Sequence, residues 1–220
     1  MGLINFGIPK EFVLFLKEEY KIEYFFETGT FKGETAKWAA QYFPKVITIE
    51  NSIDIYNEVK DQLQSYNNIT HLYGDSSLLL KEYIEKCEGP VILWLDAHWC
   101  GLNSFGINDQ CPLLRELGGL SNYPKKDLFI LIDDARLFLS PPPLPHSVDD
   151  YPNITEIIKI LEQFNGFVFA MDDVIYSLPN FTKEKVNPFI QYLYEKEKKS
   201  IKQNSRFKTR LRNLVDKICR

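Results

Sequence analysis

Apolar and polar positions change period repeatedly along this chain, and the changes divide it into alternating short strands and helices. Pro9 to Tyr20 places Phe12, Val13, Phe15 and Leu16 on one broad face with charges opposite, the pattern of an amphipathic leading helix with proline near its first turn. Ile22 to Phe26 is a short aromatic and β-branched run and predicts the first strand. It leads through Glu27 into a loop punctuated by Gly29 and Gly33, and then into a helix from Glu34 to Tyr42 that ends before Pro44.

The same rhythm continues downstream. Strands are predicted over Val46 to Ile49, Ile69 to Tyr73, Val91 to Leu95 and Leu128 to Ile132, with helices over Ile53 to Ser65, after Asp75, over Pro112 to Leu120 and over Asn153 to Phe164. Val91 to Leu95 is wholly apolar, as a strand buried on both faces must be. Strands alternating with helices in this way predict an α/β, doubly wound, Rossmann-like parallel sheet. Phe167 to Met171 and Val174 to Leu178, joined across Asp172-Asp173, predict a terminal hairpin that adds an antiparallel edge. The proline-rich stretch Ser140 to Asp150 is read as a loop, because its prolines remove donors and fix φ.

Composition adds bounds. A chain of 220 residues with 45% hydrophobic content supports one well-filled domain, placed over residues 1–180, and an appendage, residues 181–220. The net charge of −4 is uneven: residues 183–220 carry twelve Lys and Arg against four acids. This basic extension is read as helical, first as a solvated end and second as a surface for peripheral contact with anionic lipid or a polyphosphate-bearing substrate. Nucleic acid is not an expected partner, and homo-oligomerisation stays open. The start MGLINFGIPKEF lacks the basic and long apolar regions of a secretory signal. Cys87, Cys100, Cys111 and Cys219 form no evenly spaced framework, so a reducing cytoplasm is the expected location. No apolar run approaches the ~20 residues that a bilayer span requires.

Strand, glycine loop and helix make the stretch around Gly29 a candidate nucleoside cradle, and residue types separate the cofactor classes. An ATP-type loop needs Gly-Lys-Ser/Thr, whereas Gly33 is followed by Glu34-Thr35. A dinucleotide loop prefers a central glycine that is missing here, and the preceding Glu27 would repel a pyrophosphate. A cofactor with a cationic ammonium and sulfonium suits Glu27 instead. Glu50 follows the loop by about 20 residues at the end of the next strand, where such folds place an acid for ribose hydroxyls. Asp75 or Ser76 of the GDSS turn can cap the next helix.

The segments ETGTFKG, TIE, GDSS, LDAHW, CPLL and LIDDARLF, in this order, resemble the class I S-adenosylmethionine (SAM)-dependent methyltransferases, and most nearly the small bacterial enzymes that tailor glycans and natural products. The resemblance covers Ile22 to Leu178 and implies a seven-stranded sheet with the last strand antiparallel. It implies that Glu27, Thr28, Gly29 and Thr30 face the methionine portion of SAM, with Gly33 and Thr35 in the same cofactor loop, Glu50 on the ribose, and Asp75 with Ser76 beside adenine. Asp96 ends the fourth strand at the same site.

Methyl transfer to a hydroxyl needs alignment and a base. His98 and Asp96 are the candidate catalytic residues. Asp96, Asp133 and Asp134 are alternatively the ligands of Mg²⁺ or another divalent cation, as in metal-dependent catechol-type and sugar O-methyltransferases. The plainer reading has Asp134 paired with Arg136 and Asp75 serving only as a helix cap. His98, Cys100 and Cys111 match no compact zinc spacing. Trp99, Phe105, His146 and Tyr151 are candidates for an acceptor pocket, and the resemblance favours a sugar hydroxyl. A binding module without activity and a nicotinamide-dependent reductase are the competing classes.

Overall fold

β-Branched and aromatic runs become a seven-stranded sheet in the order β3-β2-β1-β4-β5-β7-β6 in the computed structural model. The structure describes residues 7–99, 110–120, 123, 128–164 and 166–218, with side chains through residue 200. The strands are β1 (Tyr24–Thr28), β2 (Lys45–Glu50), β3 (Ile69–Tyr73), β4 (Val91–Leu95), β5 (Leu128–Ile132), β6 (Gly166–Met171) and β7 (Val174–Pro179). Helix α1 (Lys10–Tyr20) precedes β1, and α2 (Glu34–Ala39), α3 (Ile53–Gln64), α4 (Ser76–Ile84), α5 (Leu113–Gly119), α6 (Arg136–Leu139) and α7 (Ile154–Leu161) lie between the strands. This body and the helix α8 (Lys183–Ile218) fall into two compact units, Met1–Asn180 and Phe181–Arg220. Among the described residues no helix is long and apolar enough to cross a membrane.

Burial follows topology. β1, β4 and β5 are buried at every position because each has a strand on both sides and helices on both faces. Their side chains alternate between two cores. Phe26, Leu93, Leu95, Ile130 and Ile132 pack with α4, α5 and α7 through Leu80, Leu117 and Ile157. On the other face the ring of Phe12 of α1 lies 4.9 Å from that of Tyr176, and Phe25 meets Trp38 of α2 at 6.3 Å. Thus α1 covers one face of the sheet, as its amphipathic pattern implies.

Two local expectations change. β1 starts at Tyr24 and runs through Glu27 and Thr28, because both polar residues are paired in register with β2 on one side and β4 on the other. The helix after Gly33 stops at Ala39. There Gln41 and Tyr42 donate to the carbonyls three residues back, Trp38 and Ala39, which tightens the last turn ahead of Pro44. The hairpin adds the expected antiparallel edge. β7 inserts between β5 and β6, pairing antiparallel with both, so the last strand is antiparallel but interior and β6 forms the edge.

The register aligns Thr28 with Ile49 and Leu95, and Leu95 with Ile132. The carboxyl ends of β1, β2, β4 and β5 therefore finish level. Between β1 and β4 the strand order reverses, which opens a crevice at those ends.

Candidate functional site

The crevice holds a cavity of about 600 Å³ lined by Gly29, Phe31, Glu50, Asn51, Asp75, Ser76, Asp96, Ala97, His98 and Arg115, among others. Its floor is the turn after β1. Gly29 has a φ of +82°, and a Cβ built on it would stand 2.4 Å from the Asp96 carbonyl oxygen, so only glycine lets β1 and β4 approach this closely. Gly33, with φ +69°, ends the turn against the Leu63 side chain of α3. Phe31 also adopts a positive φ, 45°, and its N–H donates to Glu50 Oε2 at 3.0 Å. Glu50 Oε1 accepts the Ser52 N–H at 2.8 Å. Both oxygens are thus fixed by backbone donors, and the buried carboxylate is oriented at the cavity wall.

Asp75 serves two purposes. Its Oδ1 accepts from the Ser77 N–H at 2.8 Å, capping α4, while the residue lines the cavity with Ser76. Of the other residues assigned to the cofactor from sequence, Glu27, Thr28, Thr30, Gly33 and Thr35 stand behind the lining. Thr30 and Thr48 share a hydrogen bond of 2.7 Å between their hydroxyls, and Thr48 donates to Glu27 Oε2 at 2.6 Å. Burial pushes the Glu27 carboxyl up to about 8; the Thr48 and Thr35 hydroxyls oppose this, and the nearby Asp96 and Glu50 add to it.

Asp96 and His98 line the same cavity, the Asp96 backbone lying against the Gly29 turn, and Asp133 and Asp134 follow at the end of β5. His98 Nε2 lies 2.6 Å from Asp134 Oδ2, and Nδ1 lies 3.6 Å from Asp96 Oδ1. Asp134 has φ +55°, and its N–H donates to Asp133 Oδ1 at 2.8 Å. Arg136 meets Asp134 Oδ1 at 2.6 Å and is clamped by Asp173 from the turn between β6 and β7. Burial alone would depress His98, but the hydrogen bond to Asp134 and the carboxylates of Asp96 and Asp133 raise it to about 9. It is therefore an imidazolium at neutral pH. Burial raises Asp96 to about 7, against the pull of His98 and with the push of Asp133 and Asp134. Asp133 rises to about 6 through burial and the neighbouring Asp134. Asp134 resists its own burial and is lowered by His98 and Arg136.

The three acids do not fit a divalent cation as placed. Both Asp134 oxygens face cationic side chains, one Asp133 oxygen accepts a backbone N–H, and no group of three ligand-type side chains converges among the described residues. The pairing of Asp134 with Arg136 is the plainer alternative drawn from the sequence. Trp99 and Tyr151 are buried against His146, with ring centroids 5.6 Å and 5.3 Å from it, and do not line the cavity. Phe105 and Cys100 lie outside the described residues.

Several participants were not anticipated. Thr48 is the register partner of Glu27 across β1 and β2, a signal readable only once the pairing is known. Glu116 was legible: it follows Leu113 by three positions and precedes Leu117, so it shares the apolar face of α5. Burial raises it to about 7 against hydrogen bonds from Ser76 and Thr28.

No protein-family model and no curated protein sequence matches the chain. Solved structures do. An SAH-bound methyltransferase of Podospora anserina, PaMTH1, superposes with a TM-score of 0.54 at 14% identity, covering 77% of this chain and 76% of that one. A Streptococcus mutans protein assigned as a methyltransferase, in complex with SAH, gives 0.51 at 8% identity over 79% of this chain and 100% of its own. The fold is that of the class I methyltransferases. In this methyltransferase fold the crevice between β1 and β4 is the opening onto which the sequence-assigned cofactor residues Gly29, Glu50, Asp75 and Ser76 face.

The raised acids give a pH prediction with one sign. Glu27, Asp96, Asp133 and Glu116 hold protons in the folded state that the unfolded chain releases near its ordinary carboxylate range, about 4. Their contribution is lost as pH rises through 6 to 8, and that of His98 is lost as pH rises through about 9. Asp134, Glu18 and Glu34, whose carboxyls are lowered, and His71 and His146, whose imidazoles are lowered by burial, act oppositely and lose their contributions on acidification. Thermal unfolding of the unliganded protein is expected to show its highest midpoint at about pH 4 to 5 and a steady fall toward pH 9. A midpoint that rises over this range contradicts the assigned protonation states.

Proposed function

We propose that this chain is a SAM-dependent methyltransferase that moves the methyl group onto a hydroxyl of a sugar or glycan-related small molecule. The observation that carries the reading is that Gly29 and Glu50 share a single cavity with Asp96 and His98, at the strand ends where Asp133 and Asp134 also gather. The residues fit the cofactor: Gly29 lets the loop lie close against the end of β4 at the cavity, Glu50 presents a pinned carboxylate for vicinal hydroxyls, and Glu27 places a buried acid behind the lining, which a cation in the cavity would ionise. When bound, SAM supplies an electrophilic methyl on a sulfonium.

The protein's own part is positioning and proton removal. Asp96, raised to about 7, accepts the acceptor's hydroxyl proton at its carboxylate. His98, expected from sequence as an alternative base, is a cation and acts instead as the partner that holds Asp96 ionised, with Asp134 and Arg136 fixing its ring. Carboxylates crowded at this end favour a polyhydroxylated acceptor, whose O–H groups donate to them, and disfavour a polyphosphate strand. The resemblance to glycan-tailoring enzymes supports a sugar, on a nucleotide-linked or lipid-linked glycan.

The test is transfer of label from SAM to a panel of nucleotide sugars and cell-envelope glycans. Labelled methyl ethers on hydroxyls are the expected product, at a rate unchanged by exhaustive chelation because no divalent ion is used. Label found only on amines, or a rate abolished by chelator and restored by Mg²⁺, contradicts the reading of the acceptor or of the acids respectively.

A further inference from the structure

In the turn after β1, Phe31 is a bulky residue on a backbone shaped for glycine. Its φ of 45° lies in the left-handed region, which strains any residue with a Cβ and which glycine adopts freely. It stands two positions after Gly29, where a dinucleotide loop carries the central glycine that lets its backbone approach a pyrophosphate. The conformation is used, because the Phe31 N–H donates to Glu50 Oε2 at 3.0 Å. Glycine would make the same bond without strain, so the bond does not explain the side chain. Packing does not explain it either: Phe31 is 49% exposed, and the cation over its ring, Lys32 Nζ at 5.4 Å from the centroid, is itself on an exposed residue. Phe31 does line the cavity, together with Glu50, Asn51 and Ile55. A strained, half-exposed aromatic residue at a cavity wall points to binding rather than to folding.

We propose that Phe31 is a specificity-determining residue, whose ring covers the nucleoside portion of the cofactor held on Glu50. The inference rests on the methyltransferase reading and deepens it. Because the Phe31 N–H is bonded to the Glu50 carboxylate, a ribose that engages Glu50 lies within reach of the Phe31 side chain. A side chain at this position also takes the space through which a loop backbone would approach a pyrophosphate. The turn therefore suits a nucleoside without phosphates, which offers the faces of its sugar and base to an aromatic ring.

The experiment compares Phe31→Gly, Phe31→Ala and Phe31→Tyr with the wild type by thermal unfolding and by calorimetric titration with S-adenosylhomocysteine (SAH) and with 5′-methylthioadenosine. Phe31→Gly is expected to bind SAH about tenfold more weakly, through the lost apolar contact. Its unfolding midpoint is expected to equal or exceed that of the wild type, because the left-handed strain it removes outweighs the extra freedom of glycine in the unfolded chain. Phe31→Ala keeps the strain and loses the ring, so it loses the same affinity with no gain in midpoint. Phe31→Tyr keeps the ring and stays within about threefold of the wild type. The loss should be the same factor for both ligands, since they share the nucleoside. Stability and binding thus move in opposite directions in Phe31→Gly, which a packing role cannot produce. Wild-type affinity in Phe31→Gly and Phe31→Ala, a lowered midpoint in Phe31→Gly, or a loss confined to SAH overturns the inference alone. A wild-type protein that gives no heat with SAH overturns the methyltransferase reading, and the inference falls with it.

Discussion

Gly29→Ala is expected to remove cofactor binding and to weaken the fold together. The added Cβ would meet the Asp96 carbonyl oxygen at 2.4 Å and its carbon at 2.9 Å, both backbone atoms of the neighbouring strand end. No side chain can swing away to relieve this contact. At φ +82° the alanine also carries the left-handed penalty, about 1–2 kcal/mol, and forced separation of packed elements adds about 1–3 kcal/mol. For a chain of this size that sum lowers the unfolding midpoint by roughly 5–15 °C. Separation of β1 from β4 displaces Asp96 as well, so SAM affinity is expected to fall by more than about a hundredfold. Gly33→Ala provides the comparison. Its Cβ meets only the tip of the Leu63 side chain at 3.0 Å, which can adjust, so its effect should be the smaller of the two. A Gly29→Ala protein with wild-type midpoint and affinity contradicts the close approach of the two strands.

Asp96→Asn is expected to lower the rate of methyl transfer by about 10²–10⁴-fold with little change in the affinity for SAH. The amide keeps the shape and the backbone contact to Thr28, but it cannot take a proton. The pH profile separates this from a general loss of structure. In the wild type the rate should rise as Asp96 ionises near pH 7 and fall as His98 loses its charge near pH 9. The rising limb is expected to vanish in Asp96→Asn, and the falling limb in His98→Gln. If His98 were the base, its removal would abolish the rise instead, and the rise would lie near pH 9.

Much of this was readable in residues. β3, β4 and β5 begin and end where their apolar runs meet Gly, Pro, Asp or Asn, because strands of that kind take their limits from local turn chemistry. The loop of Gly29 and the acid at Glu50 were legible for the same reason, since close approach and a strand-end carboxylate each demand particular residue types. What failed to show depended on pairing. Glu27 and Thr28 read as loop residues until β2 and β4 are known to flank them. The insertion of β7 between β5 and β6 is a choice of sheet neighbour that the hairpin's own sequence does not encode. The protonation of His98 needed Asp134, Asp96 and Asp133, brought together from the ends of β4 and β5. Sequence offered His98 as a base; its surroundings make it a cation.

The measurement closest to the central claim is calorimetric titration of the folded chain with SAM and, in parallel, with NAD. Binding of SAM with one site per chain is expected, tighter at pH 8 than at pH 6 because the cation favours the ionised forms of Glu27 and Asp96, and no heat is expected from NAD. Absence of heat with SAM from a protein that unfolds cooperatively, or saturable binding of NAD in its place, would contradict the account.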